Sequence, residues 1–153
     1  MIRSVTEADA DVWEHLRELF WPTDAGEHGR EKGEHSRDIA KYFNGDRREP
    51  AEVLLAINHA GRVVGFTELS IRNIVDGCST GRVAYLEGWF VEEEERGKGF
   101  GAALMRASED WGRAQGCTEF ASDTEITNEL SISMHTRLGF EETGRVAQFR
   151  KEL

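Results

Sequence analysis

The chain has 153 residues, 39% hydrophobic and 31% charged, which fits one soluble domain with a substantial core and excludes a disordered chain. Its formal net charge of −10 excludes the basic stripe that nucleic-acid binding needs and suits a small polycationic ligand. Charges interrupt every apolar run well before the ~18 residues of a membrane span, and Met1-Ile2-Arg3-Ser4-Val5 leads into a charged segment, so a cytoplasmic protein is expected.

Residues 2–5 read as a short strand. Thr6 reads as the cap of a helix whose apolar positions Val12, Trp13, Leu16, Leu19 and Phe20 keep helical spacing until Pro22 ends it. The polar, Gly-containing stretch 23–33 is expected to be a mobile loop, and a polar helix over 34–43 to close at Asn44-Gly45. Strands over 51–58 and 62–71 flank His59-Ala60-Gly61 as a hairpin. Asp76-Gly77 and Ser79-Thr80-Gly81 then lead to a third strand over 82–91, rich in aromatics (Tyr85, Trp89, Phe90). The acidic run Glu92 to Glu95 precedes a helix with Leu104, Ala107, Trp111 and Ala114 on one face and Gly116 at its end. A short buried strand over 118–122, a helix over 128–138 stopped by Gly139, and a final strand or hairpin over 140–151 complete a mixed α/β domain spanning 1–153. Cys78 and Cys117 lack any His or Cys at zinc spacing and read as free thiols; no metal site is expected.

The segment Arg96-Gly97-Lys98-Gly99-Phe100-Gly101, between a strand end and a helix start, carries the strongest chemical signal. Glycines there let backbone N–H groups converge on an anion, the helix N-terminus adds partial positive charge, and Arg96 and Lys98 add full charges in an acidic neighbourhood. A solvated Gly-rich cap is the plainer alternative. A Walker loop is excluded because Phe100 follows Gly99, and a dinucleotide fingerprint because the glycines alternate. Arg96-x-x-Gly99-x-Gly101, with Asn128 and Leu138-Gly139-Phe140 downstream, resembles the acetyl-CoA signature of the GNAT (GCN5-related N-acetyltransferase) superfamily. The resemblance implies the α/β GNAT fold, a mixed central sheet of about six to seven strands flanked by helices, and acetyl-CoA as co-substrate.

A closer resemblance, to aminoglycoside 6'-N-acetyltransferases, runs through Leu19-Phe20-Trp21-Pro22, Asp76-Gly77-Cys78, Leu86-Glu87-Gly88, Ala121-Ser122-Asp123-Thr124 and Gly139-Phe140-Glu141-Glu142-Thr143. It implies acceptor contacts at Trp21, Glu87 and Asp123, and acetyl-CoA contacts at Trp89, Phe90, Val91, Arg96, Gly97, Lys98, Gly99, Phe100, Gly101, Ala102 and Asn128. The implied chemistry suits these residue types. An acceptor amine is protonated at neutral pH and must lose a proton before attacking a thioester. Glu87, read as sharing a strand face with Val83, Tyr85, Trp89 and Val91, would orient the ammonium and take its proton; the alternative is an edge carboxylate in solvent. Asp123 is either a second anion for the cation or a turn and cap residue. Trp21 offers a flat face to a sugar ring or packs in the core. Asn128 either caps its own helix or holds the cofactor, and both roles are compatible.

Three positions depart from the family pattern. His135 stands where many members of the superfamily carry a tyrosine acid, Ile74 where close relatives have an acceptor-holding tyrosine, and Gly144 where they have an acid. Two other readings therefore stay open: acetylation of another polyamine, amino sugar or protein N-terminus, and a domain that binds acyl-CoA or aminoglycoside without turnover. The resemblance also implies a homodimer joined through residues 146–153.

Overall fold

The computed structural model describes residues 1–24, 26 and 29–153. Among these residues five strands and four α-helices follow in chain order: β1 (Ile2–Ser4), α1 (Ala10–Phe20), α2 (Glu34–Phe43), β2 (Glu52–Ile57), β3 (Val63–Arg72), β4 (Val83–Val91), α3 (Phe100–Ala114), β5 (Phe120–Ser122) and α4 (Glu129–Arg137). Thr6 opens a 3₁₀ turn ahead of α1 through a capping box: Asp9 accepts from the Thr6 N–H at 2.8 Å and from its hydroxyl at 2.7 Å. Gly45 and Gly116, in the left-handed region at φ +98° and +80°, follow α2 and α3 as expected.

The strands form one sheet in chain order, antiparallel from β1 to β4, with β5 added parallel to β4 after the α3 crossover. Strand alternation sends Val53, Leu55 and Phe66 to a front face covered by Trp13 and Leu16 of α1 and Ile39 and Tyr42 of α2. It sends Leu54, Ala56, Leu69 and Leu86 to a back face covered by Leu104 and Met105 of α3, which Val64 joins out of alternation because the register shifts between Ala56 and Ile57. Thr67 meets Ser108 of α3 at 3.1 Å, and the Ser108 hydroxyl also donates to the Leu104 carbonyl, so this polar pair is satisfied inside the core.

Several expectations are corrected. Among the described residues the sheet has five strands, not six to seven. Residues 140–153 form no ladder among the described residues, because composition signals a strand but a partner edge must be supplied by tertiary structure. On α1, Leu19 turns outward and is 48% exposed. The buried stripe of α3 is Leu104, Met105, Ser108 and Gly112, while Ala114 is exposed at the helix end. The loop expected over 23–33 falls partly on residues 25, 27 and 28, which lie outside the described residues. Around them Asp24 N–H donates to the Arg30 carbonyl at 3.0 Å and Arg30 N–H to the Pro22 carbonyl at 3.1 Å. Both cysteines are free thiols.

Candidate active site

The site is created by a defect in β4. Glu68 pairs with Gly88 but Leu69 pairs with Leu86, so Glu87 is an extra residue, a β-bulge. The bulge resets the alternation: Leu86, Trp89 and Val91 belong to the back-face cluster, whereas Phe90 belongs to the front and Gly88 lies beneath Trp21. The shared face expected for Glu87, Trp89 and Val91 is therefore wrong. Sequence alternation assumes an unbroken period of two, and the bulge breaks it between them.

Glu87 is not a solvated edge carboxylate. Its side chain is 13% exposed and is held from the front of β3: Arg72 Nε donates to Oε1 at 3.0 Å, Arg72 Nη2 to Oε2 at 2.7 Å, and the Ser70 hydroxyl to Oε1. The Arg72 guanidinium also stacks on Tyr85, 3.6 Å from the ring centroid. Tyr85 in turn donates its hydroxyl to Asp123 Oδ2 at 2.7 Å. Burial, the hydrogen bond to Asp123 and the charge of that carboxylate push the Tyr85 phenol far above its ordinary range, so it stays a donor. Arg72, Tyr85, Glu87 and Asp123 thus form one continuous polar strip, with Asp123 placed just after β5.

Trp21 forms the neighbouring wall. Its ring lies 4.5 Å from that of Phe20 and 6.2 Å from that of Phe66, with the guanidinium of Arg17 5.4 Å and that of Arg30 4.9 Å from its centroid. Its carbonyl accepts from Nε2 of the buried His35 at 2.9 Å. Beneath it Arg17 and Glu68, each with a side chain 4% exposed, approach to 3.3 Å, and the Trp13 indole N–H donates to Glu68 at 2.8 Å. Burial pushes the Glu68 carboxyl up while Arg17 and Trp13 oppose it; the pair anchors α1 to β3.

On the other side of the bulge β4 and β5 part. Their ladder covers only Ala84↔Phe120, Tyr85↔Ala121 and Leu86↔Ser122, so the rest of β4 has a neighbour on one side only. Glu92 N–H donates to Val64 at 2.9 Å, and antiparallel alternation then turns the N–H groups of Trp89 and Val91 toward that open edge. The edge leads to the glycine loop, where Gly97 and Gly99 hold φ of +76° and +90°, and a Cβ at either would meet nothing within 4 Å. Ala103 N–H donates to Gly99, so Phe100, Gly101 and Ala102 present N–H groups without an intrahelical acceptor. No acid stands in the first turn of α3. Arg96 Nε caps the Val91 carbonyl at 2.9 Å, while Lys98 is paired with Glu95 at 2.9 Å and Arg62 with Glu92 and Glu95, which offsets the acidic run. An extended chain bearing phosphates fits this edge and loop: free N–H groups line one side and a helix N-terminus closes the end.

Asn128 caps α4, accepting from Ser131 N–H at 3.1 Å. His135, about two turns further, packs edge-on against Trp89 with centroids 5.5 Å apart. Its Nδ1 lies 2.7 Å from the Ser131 carbonyl, which can only accept, so Nδ1 donates there, and Nε2 lies 2.9 Å from the Ser122 hydroxyl. Ile74 is 87% exposed, and a Cβ at Gly144 would touch nothing. Among the described residues no cluster of three His, Cys, Asp or Glu side chains is placed to hold a metal.

The structure therefore brings Trp21, Glu87 and Asp123 to the front of the β4–β5 split, and Trp89, Val91 and residues 96–102 to its edge and end. Sequence reasoning missed Arg72, Ser70 and the role of Tyr85. The signal available was the Ser70-x-Arg72 spacing, two polar residues on one face at a strand end.

The profile of the Acetyltransferase (GNAT) family matches residues 13–140. The chain is similar to an aminoglycoside N(6')-acetyltransferase type 1 of Klebsiella aerogenes, 42% identical over 153 residues, with 100% of this chain and 97% of that one covered. A protein of the same name from Stenotrophomonas maltophilia is 37% identical over 153 residues, with 99% and 93% covered. Among solved structures, AAC(6')-Iy in complex with the bisubstrate analogue CoA-S-monomethyl-acetylneamine superposes with a TM-score of 0.87 at 34% identity, covering 100% of this chain and 98% of that one.

Proposed function

The chain belongs to the acetyltransferase (GNAT) family, and from that premise we propose that it transfers the acetyl group of acetyl-CoA to the 6'-amine of aminoglycosides, inactivating them. The observation that carries this reading is two carboxylates, Glu87 and Asp123, beside a parting of strands that leads to a glycine-rich helix start. Anionic groups meet the polycationic acceptor on the front, and free backbone N–H groups meet the anionic co-substrate at the edge.

Acetyl-CoA supplies the activated acyl group. The N–H groups of Trp89 and Val91 hold the pantetheine arm and donate to the thioester carbonyl as it gains charge, and those of residues 97–102 hold the pyrophosphate. Glu87 orients the acceptor ammonium and takes its proton, directly or through water, so that the free amine attacks the thioester carbon within a ternary complex; the C–S bond then breaks and CoA leaves as the thiolate, which takes a proton from water. Asp123, held by Tyr85, binds a second ammonium, and Trp21 lies against a sugar ring. The whole chain acts as one catalytic domain. The test is product mapping: wild-type enzyme and Glu87→Gln are compared on kanamycin A, and the acetylated nitrogen is located by NMR. Acetylation at another nitrogen would move the regiochemistry, and undiminished turnover of Glu87→Gln across pH would remove its role.

One observation favours a broader acceptor range. The exposed Ile74 and the open surroundings of Gly144 leave two acceptor contacts unfilled, so simpler polyamines also enter the site.

We also propose a homodimer joined through residues 146–153. β5 is the last strand of the sheet, and the extended segment beyond it carries exposed Val146, Phe149 and Leu153. Sedimentation velocity should give twice the chain mass for the full-length protein and one chain mass for a chain ending at residue 145. No helix of the described residues is long and apolar enough to cross a membrane, and acetyl-CoA as co-substrate fits a cytoplasmic location.

A further inference from the structure

Two arginine–glutamate pairs stand on the front face of β3, and they differ in kind. Arg17 and Glu68 have side chains only 4% exposed, sealed beneath Trp13 and Trp21. Arg72 and Glu87 are open to the site: Glu87 is 13% exposed, but Arg72, at the last residue of β3, is 40% exposed. Its guanidinium takes one lone pair on each oxygen of Glu87, and the Ser70 hydroxyl takes a further position on Oε1. A carboxylate offers about four such positions, so little capacity remains for an incoming ammonium while Arg72 is seated. With both charges present the pair is neutral, and a second cation arriving at Glu87 would face the guanidinium rather than an anion.

We propose that Arg72 is a built-in competitor for the acceptor: it occupies the ammonium position on Glu87 and is displaced when the aminoglycoside enters. This rests on the reading of Glu87 as the acceptor carboxylate. Arg72 has the means to leave. It is tethered at a strand end, its side chain reaches solvent, and its ring contact with Tyr85 tolerates sliding. The exchange confers selectivity. A cationic amine replaces the charge it removes, whereas a neutral hydroxyl at the same position offers Glu87 only an uncharged hydrogen bond in return for the lost guanidinium. It also keeps a partly buried carboxylate paired between turnovers.

The test is the dissociation constant of kanamycin A, measured by calorimetry at saturating CoA, for wild type, Arg72→Met, Glu87→Gln and the double variant. None of these readings needs turnover. Arg72→Met should tighten binding by about two- to fivefold, the range of a partly exposed ion pair, and Arg72→Lys should fall between it and wild type. In the Glu87→Gln background the Arg72→Met change should have no effect, since the cycle isolates the pair. Weaker or unchanged binding by Arg72→Met, with Glu87→Gln impaired, would overturn the competitor and leave Glu87 as the acceptor carboxylate. Wild-type affinity in Glu87→Gln would instead overturn the reading of Glu87 itself, and the competitor with it.

Discussion

Trp21 rests on Gly88, and the space between them is too small for a methyl group. A Cβ built at residue 88 would lie 2.6 Å from Trp21 Cη2, 3.1 Å from Cζ2 and 3.3 Å from Phe20 Cε1. Relaxed carbon contacts sit near ~3.5–4.0 Å, so Gly88→Ala must push the indole out by roughly 1 Å. Gly88 is not among the residues of positive φ, so the backbone accepts alanine and the whole penalty is steric. The ring cannot yield freely, because Phe20, Phe66 and the guanidinium groups of Arg17 and Arg30 surround it. Overpacking of this kind costs about 1–3 kcal/mol, equivalent to a fall in Tm of about 3–10 °C for a domain of this size. A displacement of about 1 Å in a positioning wall is also enough to raise the kanamycin A KM tenfold or more. Thermal melting and steady-state kinetics read the two effects, and the KM for acetyl-CoA should not move. Trp21→Leu placed in the Gly88→Ala chain should recover part of the lost Tm, because the clash is then gone. A Gly88→Ala enzyme with wild-type Tm and wild-type acceptor KM would refute the reasoning.

At the other end of the site, Gly99→Ala adds no clash but forces a non-glycine residue to φ +90° at the start of α3. A penalty of about 1–2 kcal/mol should appear as a roughly tenfold higher KM for acetyl-CoA, with the acceptor KM unchanged. Far from the site, the Arg3 fork and Thr6 hold the Asp9 carboxyl well below its usual range, against a smaller opposing effect of burial. A lowered folded value means that the stabilisation is complete above the unfolded carboxylate range and fades as pH falls through the folded value. Asp9→Asn should therefore cost about 1–2 kcal/mol at neutral pH in urea unfolding, and the gap to wild type should shrink steadily below about pH 4. A gap that is constant with pH would remove Asp9 ionisation as its cause.

The parts of the fold written in local chemistry were legible in the sequence. The glycine loop before α3 needs positive φ at Gly97 and Gly99, and few residue types other than glycine supply it readily. The polar helix expected over 34–43 and closed by Asn44-Gly45 forms with those limits. The bulge at Glu87 was not legible, because an inserted residue leaves no compositional mark and shows only when β4 is registered against β3. Unbroken alternation groups Glu87 with Trp89 and Val91, whereas the bulge turns it to Ser70 and Arg72 on the opposite side. Arg72 lies one residue past the strand expected over 62–71, and only its spacing from Ser70 marks it. Its pairing depends on a residue 15 positions away across an antiparallel ladder. The strand expected over 140–151 is absent for a related reason: strand-like composition does not decide pairing, and the segment makes no ladder with the open edge of β5.

Acetyl transfer to a 6'-amine is tested most directly by free-thiol release from acetyl-CoA, with kanamycin A set beside an analogue that carries a 6'-hydroxyl. Rapid release with kanamycin A and none above background with the hydroxyl analogue is the expected result. Equal release with both would contradict the 6' assignment, and release with neither would contradict an aminoglycoside acceptor altogether.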